Sequence, residues 1–341
     1  MLKTICWAFC VASKFSEGPK ALERRFSSRR DHLRDAPLVL TNSWKGYCYG
    51  RHGPRQRVLA AVSEMCPEAS ACWGSLLWTV LGEACLSVRR IRSLLCKLDS
   101  DVQVPAMRAR RSVTVCPVAA AMLERRAGLD ALAAALLLLR LAHLEQRQAA
   151  AFGWGTNVWR LMVLLGPMLV CGGIAQALSD LIEERFMPMA ELDGRRPGFP
   201  AGNYRRVLSA YVEVMFHATR RSTPRLTERQ LVVVGRQVLD GMYGDDCRWA
   251  LNPVAMVQSK NRTTDVSLKN PSNDRTADER VNLHHWGLNV LQLGGHRGPP
   301  PGAACSGNDL WAIDDDDPYA LLDPGAKRVE VGEGSTATTK Q

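Results

Sequence analysis

Aromatic residues make up only 6% of the 341 residues, and none of the eleven cysteines stands in a CxxC pair. A zinc module needs ligands paired at short spacing, because four of them must converge on one ion, so a zinc site is not expected. The odd, scattered cysteine count also excludes a disulfide framework. It fits reduced thiols buried on apolar helical faces, Cys85 and Cys171 among them, and hence a reducing compartment. With aromatics scarce, Leu, Ala and Val dominate the apolar 46% of the chain, which suits helical packing better than a sheet-rich fold.

Motifs that carry chemistry are equally scarce. There is no nucleophile elbow, no paired acid and base at a recognisable spacing, and no phosphate-binding loop. Gly153-Trp154-Gly155 precedes a helical run but lacks the lysine that would meet phosphates. Asp314 to Asp317 form an acidic run without the alternating oxygen ligands, central glycine and closing glutamate of a calcium loop. His284 and His285 are adjacent, so on a helix or strand they point to different faces and do not share one ion. No catalytic, cofactor-binding or metal residue is therefore assigned, no cofactor is expected, and the expectation is a non-enzymatic protein.

What the chain does have is positive charge, unevenly placed. The formal net charge is +10, from 44 Lys and Arg against 34 Asp and Glu. From Ser259 onward 9 basic residues face 12 acidic ones, leaving 35 against 22 before it, so the body carries +13 and the tail −3. Such a body attracts phosphates, anionic lipid or acidic partners. Two arginine clusters are the candidate contacts for nucleic acid or an anionic surface: Arg89, Arg90, Arg92, Arg108, Arg110 and Arg111, then Arg205, Arg206, Arg220, Arg221, Arg225 and Arg229.

The pattern along the chain predicts a mainly α fold: a multi-helix bundle with an irregular N-terminal segment and a disordered C-terminal tail. Residues 1–37 read as a basic leader. Thr4 to Ala12 is a short apolar run like a minimal secretory signal, and Arg24-Arg25-Phe26-Ser27-Ser28 resembles a mitochondrial matrix-processing site, against which Glu17, Glu23 and Asp31 count. Under secretion, Asn261-Arg262-Thr263 would be a glycosylation sequon. Residues 38–104 read as an N-terminal helical subdomain that opens with loop over Leu38 to Arg55. A linker near Asp99 to Arg111 separates it from a main helical domain, 105–258, in which Ala131 to Leu144 is a strong helix former with Arg140 and His143 on its outer or interfacial side.

Leu161 to Ser179 is the segment on which localisation turns. It has 19 residues without a charge, and its mean hydropathy of about 1.8 reaches the level used to flag a transmembrane helix. Pro167, the Gly172-Gly173 pair and Gln176 argue for a buried helix of a bundle instead. Further on, Tyr204, Val207, Leu208, Tyr211, Val214 and Met215 follow an amphipathic period, and Thr227 with Gln230 forms a capping-box pattern before a second helix. From Ser259 the periodicity ends, and 259–341 reads as a polar tail holding two islands, His284 to Leu293 and Leu310 to Leu322, suited to ordering on a partner.

Two short stretches resemble known families. Tyr243-Gly244-Asp245-Asp246 is similar to the metal-binding signature of viral RNA polymerases, which would imply magnesium-assisted phosphoryl transfer. Here it follows a capped helix, without companion motifs, and reads as a helix terminus and turn. Gly153-Trp154-Gly155, leading into Val158 and Leu161, resembles the Trp-Gly entry to the central hairpin of Bcl-2-like apoptosis regulators, over some 25 residues. The acid or Asn and the Arg expected beside Trp-Gly are missing.

Three expectations follow. The first is a helical interaction protein with protein partners, associated with a membrane through 161–179 and located at the mitochondrion or another intracellular membrane. The second is a basic, all-helical RNA-binding protein of the cytoplasm or nucleus. The third, more remote, is a Bcl-2-like apoptosis regulator.

Overall fold

A computed structural model describes residues 1–26, 42–200, 203–220, 226–257 and 271–292, and these form one compact unit. It is mainly α, as the sequence predicts. The segment expected to be irregular is helical: α1 (Leu2–Phe15), α2 (Pro19–Phe26) and α3 (Ser43–Cys48) are followed by α4 (Gln56–Met65) and α5 (Pro67–Gly74). In α1, Thr4, Trp7, Ala8 and Val11 fall at helical spacing and are all buried, so this part of the segment read as a leader packs into the core. The helix stops at Ser16, which takes the left-handed conformation (φ 52°).

These five short helices close around aromatic rings. Trp7 stacks on Trp44 at 5.3 Å and meets Tyr47 and Trp73 edge-on at 5.7 and 5.9 Å. Phe26 lies 5.3 Å from Trp44 and 5.8 Å from Phe15. Glu23 accepts the Trp44 backbone N–H at 2.9 Å, tying α2 to α3. Sparse as they are in composition, the aromatics are concentrated here, where short helices offer few positions and each must bury much surface.

The apolar stretch after Ser70 is not one helix. It breaks at Ser75-Leu76, where Asp130 accepts from Ser75 Oγ at 2.7 Å and from Leu76 N–H at 3.1 Å, and resumes as α6 (Leu77–Gly82). Next comes α7 (Val88–Leu95), capped by Ser87, whose hydroxyl accepts the Arg90 N–H at 3.2 Å. The expected linker is itself a helix, α8 (Ser100–Ala109), with Pro105 inside it. It buries Val102, Ala106 and Ala109 at three- and four-residue steps, which overrides the local signal of Asp99 and Pro105. Then α9 (Pro117–Arg126) ends before Gly128, which caps the next helix.

At the centre stands α10 (Leu129–Leu144), antiparallel to α11 (Gln148–Leu164) across a corner at Gln146 (φ 56°). Almost every residue of α10 is buried, from Leu129 to Ala142, and each such leucine contributes about 1.5–3 kcal/mol relative to exposure. Arg140, expected on the outer or interfacial side, is interfacial and 3% exposed: its guanidinium donates to the Glu83 carbonyl at 2.7 Å and lies over the Phe186 ring at 4.5 Å. Burial, with Arg185 nearby, lowers its pKa from the ordinary arginine value. Gly153 and Gly155 sit within α11, where Cβ atoms would meet Val115 at 2.7 Å and Ala190 at 2.6 Å. The Gly-Trp-Gly sequence is therefore a close-packing device in mid-helix, with Trp154 buried between the two glycines.

Leu161 to Ser179 does not form a spanning helix. It is divided among the end of α11, α12 (Gly166–Cys171) and the start of α13 (Ala175–Arg185). Pro167 starts α12, and Gly173 turns the chain after it at φ 64°. Among the described residues no helix is long and apolar enough to cross a membrane. Most of the stretch is core, although Val170 and Cys171 are exposed.

A 3-10 turn (Met187–Ala190) leads to strand β1 (Arg195–Gly198), which pairs antiparallel with β2 (Val254–Val257), Arg195 opposite Val257. Between them run α14 (Tyr204–Thr219), α15 (Glu228–Leu239) and α16 (Asp245–Leu251). Thr227 and Gln230 form the predicted capping box at α15. The aspartates resembling a polymerase signature open α16, with Asp246 buried, rather than sitting on a hairpin.

Beyond β2 comes α17 (Pro271–Gln292), inside the region read as tail. The first island thus orders on the body itself: Leu288 and Leu291 join the core, and Gly287 lets α17 approach α16, a Cβ there falling 2.7 Å from the Asp246 carbonyl. The second island, the sequon and Asp314 to Asp317 lie outside the described residues.

Candidate anion-binding site

The apolar side of α7 buries Ile91, Leu94 and Leu95, which leaves Arg89, Arg90 and Arg92 on its outer side. The C-terminal end of α8 brings Arg110 and Arg111 next to it. The α10–α11 corner supplies Glu145 and Arg147. Arg92, Arg110, Arg111, Leu141, Glu145 and Arg147 line a cavity of about 260 Å³.

Glu145 is the pivot of this cavity. It accepts from Arg92 Nη2 at 3.2 Å and from Arg147 Nε and Nη2 at 3.1 and 2.7 Å. Arg147 is held from the other side as well, donating to the carbonyls of Arg110 at 3.0 Å and of Ser112. It therefore pins the turn after α8 to the α10–α11 corner. Glu145 pairs with Arg92 and Arg147, while Arg110 and Arg111, which also line the cavity, have no acidic partner among the described residues.

Guanidinium forks match the oxygens of phosphate, and the excess charge leaves them acceptors to seek. The cavity falls below the roughly 300–1,000 Å³ of pockets that enclose small molecules. A phosphate group fits within it.

Of the candidate contacts from the first arginine cluster, the structure brings three together, Arg92, Arg110 and Arg111. Arg90 is instead paired with Glu83 at 2.7 Å, while Arg89 and Arg108 are exposed on the same two helices. None of the second cluster lines the cavity. Arg205, Arg220 and Arg229 are exposed, Arg206 donates to Asn289 Oδ1 at 3.3 Å, and Arg221 and Arg225 lie outside the described residues. Arg147 and Glu145 were not legible as site residues. The sequence offers only a polar break between two apolar helices, and the role of Arg147 depends on the return of the turn at Ser112.

A second charged cluster is built around buried Glu124 and half-buried Arg160. Arg160 donates from Nε and Nη2 to Glu124 at 2.7 and 3.0 Å, from Nη2 to Asp240 at 2.6 Å and from Nη1 to Asn252 at 2.5 Å. Asn157 adds a bond to Glu124 at 2.9 Å, and Arg236 lies 3.5 Å from Asp240. Burial would lower the Arg160 pKa, but Glu124 and Asp240 outweigh it and hold the group well above the ordinary arginine value. With its charges paired, this cluster staples α9, α11 and α15 together.

Among the described residues one group of metal-ligating side chains comes close together, Cys6, Cys10 and Cys72. Cys85 and Cys171, expected to be buried, are exposed; the buried thiols are Cys6, Cys66, Cys72 and Cys247. The apolar neighbours of Cys85 and Cys171 in sequence misled, because Cys85 falls between α6 and α7 and Cys171 on the outer side of α12.

No family model, curated protein or solved structure matches this chain. Function is accordingly argued from the side chains.

Proposed function

We propose that the chain is a non-enzymatic binding protein whose partner is RNA, gripped at its phosphates by the Arg92, Arg110, Arg111 and Arg147 cavity. The observation that carries this is the cavity's charge: four arginines and one glutamate line it, and the glutamate is paired with only two of them. Arg89 and Arg108, exposed on the same helices, would extend the contact along a strand. Binding of this kind reads backbone rather than base sequence.

The test is RNA binding by the full chain across a salt series. With three or four phosphates engaged, log K falls against log salt with a slope of about −2 to −3. Reversing Arg110 and Arg111 to Glu lowers affinity by roughly tenfold or more and flattens the slope, whereas Arg229→Glu leaves both nearly unchanged. Tighter binding to anionic vesicles than to RNA would replace this reading with a membrane surface. Absence of salt-dependent binding would redirect it to a protein partner at the exposed apolar side chains of α14, Val212 and Phe216, the latter 63% exposed.

A further inference from the structure

Cys6 and Cys10 are one helical turn apart on the same side of α1, and Cys72 comes to them from α5. Cys6 and Cys72 are buried with their sulfurs 3.4 Å apart, and all three Sγ atoms lie within 4.8 Å of one another. Cys10 is half-buried and forms the open edge. The group lies where the two cores meet: Cys6 and Cys72 belong to the main core, and Cys10 packs against both.

The surroundings hold the thiols in place. Trp78 Nε1 donates to the Cys72 carbonyl at 2.6 Å, fixing the end of α5. Gly172 packs against Cys6, where a Cβ would fall 3.4 Å from the sulfur. Lys3 lies over the Trp73 ring at 4.1 Å and within electrostatic reach of Cys72, a positive charge suited to offset thiolate. Hydrogen bonds from Cys6 and Cys72 hold the Cys10 thiol below the ordinary cysteine value, while the same contacts with Cys10 raise the other two.

We propose that Cys6, Cys10 and Cys72 form a three-coordinate thiolate site for a soft monovalent cation, Cu(I). Three sulfurs on one spot, in an apolar and aromatic setting, are the ligand set that selects soft metals. A structural zinc site takes four protein ligands, and no His, Asp or Glu joins this group among the described residues. Binding is ligand exchange without redox change: Cu(I) leaves its carrier, and each thiol loses its proton to solvent as the Cu–S bond forms. The metal would then link α1 to α5 across the seam.

The experiment is an anaerobic titration of the reduced full chain with Cu(I) against a colorimetric Cu(I) chelator, with Zn(II) in a parallel series. The expected result is one equivalent of Cu(I) withdrawn from the chelator, accompanied by thiolate-to-copper charge-transfer absorption. Cys10→Ser, at the open edge, should keep the fold by circular dichroism yet weaken Cu(I) binding by more than about 100-fold. A variant with the exposed Cys85, Cys96 and Cys171 changed to Ser should retain it. Copper binding kept by Cys10→Ser but lost from that triple variant overturns the proposal. So does tighter binding of Zn(II) than of Cu(I), or a reduced chain that leaves all the copper with the chelator.

Discussion

The molecule buries its apolar surface in two different ways. Around Trp7 a few large rings from α1, α2, α3 and α5 stack and meet edge-on, and two cations, Lys3 over Trp73 and Arg25 over Phe15, cover the outside. Around α10 the burial comes from many leucines and alanines on long helices, with Gly153 and Gly155 permitting close approach. Beside α1, the short helices α2, α3 and α5 present few core positions and fill them with large side chains, whereas the paired long helices α10 and α11 use small ones and gain from close approach.

Removing Trp7 is the sharpest test of whether the aromatic core is an independent unit. Trp7→Ala should cost about 3–5 kcal/mol in chemical denaturation. A single lowered transition by fluorescence and far-UV circular dichroism shows that the two cores fold together, and an early fluorescence transition shows that they do not. In the aliphatic core the corresponding weak point is electrostatic. Glu124→Gln leaves Arg160 buried with only Asp240 to balance it and should cost about 3 kcal/mol, the low end for stranding a buried charge. Aliphatic burial would be the whole account of that core if the cost fell within experimental error of zero.

Close approach is tested by Gly155→Ala. Its added Cβ would lie 2.6 Å from Ala190 and 2.8 Å from Pro197, so overpacking should cost about 1–3 kcal/mol despite the better helix propensity of alanine. A more stable variant would mean that the neighbours yield. The smallest effect at neutral pH belongs to His284 on α17. Its Nδ1–H donates to the Trp249 carbonyl at 3.1 Å and Nε2 has no partner, so burial, with His285 and Arg206 nearby, lowers its pKa to about 4. The unfolded chain takes up this proton near pH 6.5, so the contribution of neutral His284 is full above that pH and is lost down to about pH 4. Urea midpoints measured from pH 7 to 4 should fall more steeply for the native chain than for His284→Gln; equal slopes would place the acid sensitivity elsewhere.

Much of the fold was legible and much of the site was not. The capping box at Thr227, the amphipathic period of α14 and the buried helix at Ala131 to Leu144 all followed from local spacing. The arginines of α7 and α8 were visible as a cluster, but which of them face one cavity was not. Arg90 turns to Glu83 and Arg92 to Glu145, a choice made by residues 7 and 53 positions away. The thiol group was half visible: Cys6 and Cys10 stand one turn apart, while Cys72 joins them only through the packing of α1 on α5.

By itself the sequence determined the mainly α class and the positions of helices such as α7, α10, α14 and α15, because apolar period, caps and glycines act over a few residues. Tertiary structure decided the rest. It broke the uncharged run at 161–179 into three pieces, turned Arg140 inward, folded the supposed leader around Trp7, and laid α17 on the body. Each of these depends on partners distant in sequence, whose contributions outweigh the local propensities that the sequence alone displays.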